Sequence, residues 1–248
     1  MRVPRPRLLD LFGGCGGAAK GYDRAGFDVT SIDIRRSEHW GDLRVMDWER
    51  ALDDFDLSAF AAIHASPPCQ GYTPMNHVSK DEYPLLIPQV RERLKSTGLP
   101  FVIENVEGAP LHRDLMLCGE MFGLRVVKHR YFEFGGGFRT PPLEHPKHQG
   151  RVAGWRHKEW IDGYYFQVHG TGGSRGTIQQ WQGAMGIGWT RSRHELAEAI
   201  PPAYTEWIGA HLMSYVTRNT LRSGHGAAHE GERTAERDGE VPMHPIGP

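Results

Sequence analysis

Cysteine is scarce in this 248-residue chain: Cys15, Cys69 and Cys118 are the three it has, widely spaced and with no Cys-x-x-Cys pair. That pattern excludes a disulfide framework and a zinc knuckle, and it leaves the thiols reduced and free for chemistry. Long apolar runs are also missing, so no segment is expected to cross a membrane. The N-terminal "MRVPRPRLLDLF" has neither the apolar region nor the small-residue cleavage site of a signal peptide, and a cytoplasmic location is expected. Charge of one sign is lacking as well. The formal net charge is −1 with all 14 histidines neutral, so the whole molecule is no obvious polyanion binder. There is no internal repeat. "HPKH" together with His157 has no regular ligand spacing and no cysteine beside it, so a surface histidine cluster is expected and no metal.

What is present suffices for one sizeable core with a small appendage: 39% hydrophobic and 10% aromatic residues. "RLLDLF" (Arg7–Phe12) reads as a buried strand that runs into the glycine-rich "GGCGGAAKGYDRAGF". "DVTSIDI", "AFAAIHA" and "PFVIENV" read as further strands, and "YPLLIPQVRERLKSTG" takes helical spacing from about Leu85. Strands alternating with helices predict an α/β domain with a doubly wound, mostly parallel sheet. Ligands of such sheets sit at the carboxyl ends of the strands. The glycine loop, Asp33, the Pro-Pro-Cys turn and Glu104-Asn105 all fall at those ends.

After Arg130 the composition turns to Gly, Pro, His and aromatics without a clear period, which predicts a loop-rich insertion over residues 135–177. Regular structure is expected to return over 178–219, with Pro202 suited to the first turn of a helix. Residues 220–248 offer little to bury and are expected to be disordered. Charge is uneven too: Arg125–Arg175 holds nine Lys/Arg against four acids, a local excess of +5. Such a face could neutralise phosphates, or could be an ordinary solvated surface.

Three constellations carry chemistry. "DLFGGCGG" lets a cofactor approach the backbone closely but gives no clean GxGxxG, which disfavours a dinucleotide; with Asp33 placed to bind a ribose diol it suggests a nucleoside-containing cofactor. "SPPCQGYTP" holds one thiol on a proline-stiffened turn after a strand, where a small buried hydrophobe is the alternative reading. "ENV" offers an acid that could assist addition of that thiol, or a plain structural turn.

In this order and strand context, "DLFGGCGG", "PPCQGYTP" and "ENVEGAP" resemble the DNA cytosine-5 methyltransferases, and the chain is similar to their short, phage-type members over roughly Leu8 to His211. "WQGAMGIGW" and "EAIPPAYTEWIG" resemble the family's later motifs more loosely. The resemblance implies a Rossmann-like fold (class I, S-adenosylmethionine-dependent): a catalytic domain over residues 1–134 and a small target-recognition segment over 135–177. It implies Cys69 as nucleophile, Pro68 shaping its loop, Glu104 as the assisting acid, Asn105 fixing the nucleophile loop, and Arg130 as one member of an Arg-x-Arg pair whose other position is Lys128. Cofactor contacts are implied for Asp10, Phe12, Gly14, Gly16, Gly17, Asp33, Ile34, Asp42 and Leu43, with Asp42 reading the adenine amino group. Substrate contacts are implied for Gln70, Lys128, Arg151, Arg156 and Lys158. The cofactor would be S-adenosyl-L-methionine, the partner double-stranded DNA with a flipped cytosine, and the enzyme a monomer. Trp155, Trp160, Tyr164 and Tyr165 could help read bases, and at least half of them should form a local core instead. So short an insertion predicts a recognition site of about two to four base pairs. Rival readings are an amino-methyltransferase acting on an exocyclic nitrogen, since "SPPC" is like that class's Pro-Pro-aromatic loop; the same thiol chemistry on RNA; and a catalytically silent DNA-binding module.

Overall fold

A computed structural model describes residues 4–73, 83–157, 159–170 and 176–235. It divides into two compact units, residues 1–213 and 214–248.

In the first unit a seven-stranded sheet has the order β3-β2-β1-β4-β5-β7-β6. Its strands are β1 (Arg7–Leu11), β2 (Asp28–Asp33), β3 (Asp42–Val45), β4 (Ala62–Ala65), β5 (Phe101–Asn105), β6 (Leu115–Leu117) and β7 (Arg130–Gly135). β3 through β5 pair in parallel, whereas β7 runs antiparallel to both β5 and β6. The parallel strands read as continuous apolar runs because both faces are covered. Leu8, Leu9, Leu11, Ile32, Ile63, Val102 and Ile103 are all fully buried.

Helix α1 (Gly17–Arg24) packs with almost no clearance. A Cβ on Gly17 would lie 2.2 Å from the Ile200 carbonyl oxygen, and one on Gly21 2.0 Å from Thr205 Oγ1. Glycine at these two positions is therefore what lets the chain at 200–206 lie against α1. Helix α2 (Trp48–Asp54) is started by Asp47, whose carboxylate accepts the backbone N–H of Glu49 and Arg50. Helix α3 (Ile87–Ser96) buries Ile87, Val90 and Leu94 on one stripe.

The insertion contains one two-stranded ribbon, β8 (Gly154–Arg156) with β9 (Glu159–Ile161). It ends at Thr177, which forms a reciprocal capping box with Gln180 at the start of α4 (Ile178–Met185). Its inner residues Ala153, Phe166 and Val168 share a second core with Val126, with Trp181 and Met185 of α4, and with Leu196 of α5 (Arg193–Glu198). The described inner residues of the insertion thus belong to a core shared with α4 and α5.

Helix α6 runs from Pro202 to Ala235. Pro202 stands at its first position, as expected. The backbone stays helical well beyond residue 220, where disorder was expected. A segment too polar to fold by burial can still be helical, because helix hydrogen bonds are internal to the segment. No helix among the described residues is long and apolar enough to cross a membrane.

Candidate active site

The carboxyl ends of β1, β2, β4 and β5 open into one cleft of about 770 Å³. It is lined by Phe12 and the glycine turn, by Asp33 and Ile34, by Met46 to Glu49, by Ser66 to Gln70, and by Glu104, Arg130 and the 192–200 segment.

In the first wall the chain leaves β1 through a turn that places Phe12 at φ 62° and Gly14 at φ 51°. Asp33 holds this turn: its carboxylate accepts the Gly14 N–H at 3.0 Å and the Arg35 N–H at 2.9 Å. Phe12 leans on Trp48 with ring centroids 5.7 Å apart, and Ile34 is 66% exposed into the cleft. An aromatic ring, an exposed aliphatic side chain, a carboxylate and a glycine turn make a fitting surface for a nucleoside. The roof comes from far along the chain: Trp189 Nε1 donates to the Cys15 carbonyl at 2.7 Å, and Gly17 lies against Ile200.

In the opposite wall, Ser66-Pro67-Pro68-Cys69 follows β4. The two rings fix two φ angles and remove two donors. Asn105 Nδ2 donates to the Pro67 carbonyl at 2.8 Å, and the Asn105 side-chain oxygen accepts the Val106 N–H. Cys69 then opens a 3₁₀ turn over Gln70–Tyr72, with the Tyr72 N–H bonded to the Cys69 carbonyl at 3.0 Å. Burial pushes the Cys69 thiol up from its ordinary range, while the Arg130 cation pulls it back.

Glu104 is 5% exposed. Burial pushes its carboxyl up from the ordinary range, and Arg130 and then Lys128 pull it down. Arg130 Nε approaches Glu104 Oε1 to 2.9 Å, yet that oxygen has no aligned hydrogen-bond donor. The contact compensates charge and leaves an acceptor position open on the carboxyl group.

Several expected site residues lie elsewhere. Asp42 and Leu43 are outside the cleft: Asp42 opens β3 at its amino end, is well exposed and pairs with Arg44. A parallel strand presents ligands at its other end. The acid at the carboxyl end of β3 is Asp47, which lines the cleft while capping α2. Asp10 is fully buried beneath the turn rather than in the cleft, where Ser31 Oγ donates to it at 3.0 Å. Burial pushes its carboxyl up to about 7. Gly14 and Gly17 line the cleft; Gly16, at φ 82°, caps α1 beside Trp40 and His39.

Lys128 also departs from expectation. It is 4% exposed, and its Nζ donates to the carbonyls of Val168 and Ala197. It therefore ties the insertion to α5. Arg151 donates to the Asp162 carbonyl at 2.7 Å, and Arg125 to the carbonyls of Tyr164 and Gly163. Arg151 thus fastens the insertion to itself, while Arg125 and Lys128 fasten it to the preceding chain and to α5. Tyr165 is fully buried, Trp160 packs against the second core, and Tyr164 is 49% exposed. Arg156 lies on β8, and Lys158 falls outside the described residues.

Gln70 does face the cleft, and its Nε2 donates to Glu198. Glu198 is a residue the sequence reading did not single out. It also receives Arg35 at 3.6 Å and His194 at 3.4 Å, so it joins the Pro-Pro-Cys-Gln turn to the loop after β2. The one signal for it was its position in "EAIPPAY".

These features define a Rossmann-like methyltransferase fold with a thiol and an acid in the cleft where such folds bind their ligands. No family model matches the chain. A candidate type II methyltransferase of Oceanobacillus iheyensis is 25% identical over 130 residues, which is 45% of this chain and a quarter of the relative's length. In structure, the chain is similar to the Dnmt2 methyltransferase of S. pombe, with a TM-score of 0.57 at 14% identity over 86% of this chain and 99% of that one. It is likewise similar to the methyltransferase EhMeth of Entamoeba histolytica, with a TM-score of 0.53 at 14% identity over 88% and 99% of the two chains. The fold is theirs, and the resemblance to cytosine-5 methyltransferases noted from the motifs extends to the architecture.

Proposed function

We propose that this chain is a DNA cytosine-5 methyltransferase that uses S-adenosyl-L-methionine and acts through a covalent bond between Cys69 and C6 of a flipped cytosine. The observation that carries this reading is the convergence of Cys69, Glu104 and Arg130 in the cleft that also holds Phe12, Asp33 and the glycine turn. Phe12, Ile34 and Trp48 would cover the adenosine, and Asp33 would hold the ribose beside the turn it shapes. When bound there, S-adenosylmethionine supplies an electrophilic methyl group.

The ring carbon C5 of cytosine is a poor nucleophile until aromaticity is broken. The Cys69 thiolate adds at C6 while the Glu104 carboxyl, whose neutral form burial favours, shares a proton with N3. Electron density then collects at C5, the position to be methylated. Loss of the C5 proton and expulsion of the Cys69 thiolate restore the ring. Arg130 anchors Glu104 and favours the thiolate by its charge, and Asn105 keeps the turn from drifting through the Pro67 carbonyl. The target leaves the helix first, because C6 is out of reach within the base stack.

The experiment is nucleoside mass spectrometry of duplex DNA incubated with S-adenosylmethionine and the protein, with Cys69→Ala in parallel. New 5-methylcytosine that disappears in the variant supports the reading. N4-methylcytosine or N6-methyladenine that persists in the variant refutes it and favours an amino-methyltransferase.

A further inference from the structure

Away from the cleft, Cys118, His129, His145 and His148 converge. One potential ligand atom from each lies within 4.8 Å of every other. Cys118 Sγ is 3.4 Å from His148 Nε2, and His129 Nε2 is 3.2 Å from His145 Nε2. In a tetrahedral zinc site the edges are about 3.4 Å between two nitrogens and about 3.6 Å between nitrogen and sulfur, from the usual zinc–ligand bond lengths. Both of the closest pairs already stand near those edges. The three imidazoles lie in mutual contact, one pair stacked, one tilted and one edge-on, with centroids 4.8 to 5.3 Å apart. The group contains no carboxylate, so nothing within it balances a protonated histidine, while a metal cation would take up three nitrogen lone pairs and a thiolate.

The sheet itself sets half of this arrangement. β6 and β7 are antiparallel with Leu117 opposite Arg130, and one further step of that register sets Cys118 opposite His129. The other half comes from the insertion: His145 and His148 bracket Pro146-Lys147. The next residue is held as well, since the Gln149 N–H donates to Tyr165 Oη at 2.9 Å and that hydroxyl donates to Glu120.

We propose that Cys118, His129, His145 and His148 form a structural zinc site that staples the insertion to the strand pair carrying Arg130. A thiolate with three imidazoles suits zinc among the available divalent ions, and four protein ligands leave no open position for a reaction. The site was missed in the sequence because its ligands follow the irregular spacing Cys-x10-His-x15-His-x2-His, and the partner of "HPKH" is Cys118 rather than His157.

The test uses the full-length, untagged chain, purified without chelator and assayed by elemental mass spectrometry. About one zinc per chain is expected. After stripping, cobalt(II) should give intense tetrahedral absorption with a thiolate charge-transfer band. Cys118→Ser should abolish that band, and His148→Gln should cut zinc occupancy at least about tenfold. His211→Ala, outside the cluster, should leave both unchanged. Proteolysis within residues 136–157 should speed up in the stripped protein. Folded wild-type protein that retains less than about a tenth of an equivalent and gives no tetrahedral cobalt spectrum would overturn the proposal. So would zinc content unchanged by both ligand substitutions. If those variants prove insoluble, the wild-type stoichiometry and charge-transfer band decide by themselves.

Discussion

In the Pro-Pro-Cys-Gln turn four consecutive residues build one feature, whereas in Lys128-His129-Arg130 three consecutive residues face three different surroundings. Pro67 and Pro68 stiffen the turn, Cys69 lines the cleft, and Gln70 reaches Glu198. Where the chain enters β7, by contrast, Lys128 is buried against two carbonyls, His129 joins the cysteine–histidine cluster, and Arg130 meets Glu104. The difference follows from backbone geometry. A tight turn keeps neighbours together, while an extended segment points successive side chains to opposite faces. The parallel half of the sheet therefore presents its functional groups as contiguous motifs, and the antiparallel half assembles them from distant parts of the chain.

That contrast can be broken or sharpened by substitution. The largest effect is expected at Glu104, where both halves meet. Glu104→Gln keeps the shape but removes the proposed proton donor, and methyl transfer should fall about 10²- to 10⁴-fold with cofactor binding unchanged. A loss of less than about threefold would show that the acid takes no part. Next, Lys128→Met should lower stability by about 2–4 kcal/mol, because the carbonyls of Val168 and Ala197 lose their donor in a buried place. Urea unfolding measures this. A stability unchanged from wild type, with weakened DNA binding, would instead make Lys128 a substrate contact.

A smaller effect separates Asp33 and Asp42, two of the three acids first paired with the cofactor. Asp33→Ala should raise the Kd for S-adenosylmethionine about tenfold or more by calorimetry, since it removes a carboxylate that accepts two backbone N–H groups of the cleft wall. Asp42→Ala, at the wrong end of β3, should change it by less than about twofold. Equal effects would contradict the placement of Asp42 outside the site.

A pair of opposing pH dependences lies beneath the glycine turn. Asp10 and His64 are opposite each other on β1 and β4, and both are fully buried. Burial raises Asp10 from 3.8 to about 7, so its contribution to stability is full at low pH and is lost as pH climbs toward 7. Burial lowers His64 from 6.5 to about 3, so its contribution is full above 6.5 and is lost as pH falls. Between about pH 4 and 6.5 the folded and unfolded chains then bind equal protons at this pair, and the two dependences cancel. Relative to wild type, Asp10→Asn should lose stability as pH falls through that window, and His64→Gln should gain it. Each slope should approach 1.4 kcal/mol per pH unit. Parallel stability curves for all three proteins would rule out the pairing.

The same geometric contrast explains what could be read in advance. The parallel strands, the glycine turn, Cys69, Glu104 and Asn105 were legible because each sits in a short motif at a strand end. Asp42 was paired with the cofactor through the family resemblance, before the end of β3 was known; Asp47 stands at that end. Lys128, Glu198 and the Cys118 cluster were illegible for another reason. Their roles depend on partners 30 to 128 positions away, which only the assembled sheet brings near.

The central claim is a bond between Cys69 and a cytosine ring, and trapping that bond tests it most directly. Duplex DNA with every cytosine replaced by 5-fluorocytosine cannot lose a proton from C5, so an adduct that has been methylated cannot break down. With S-adenosylmethionine present, the account predicts a denaturation-resistant complex in which peptide mass spectrometry finds the nucleotide on Cys69, and none with Cys69→Ala. Efficient methylation of ordinary cytosine DNA by the same preparation, with no such complex or with one on a different residue, would contradict it.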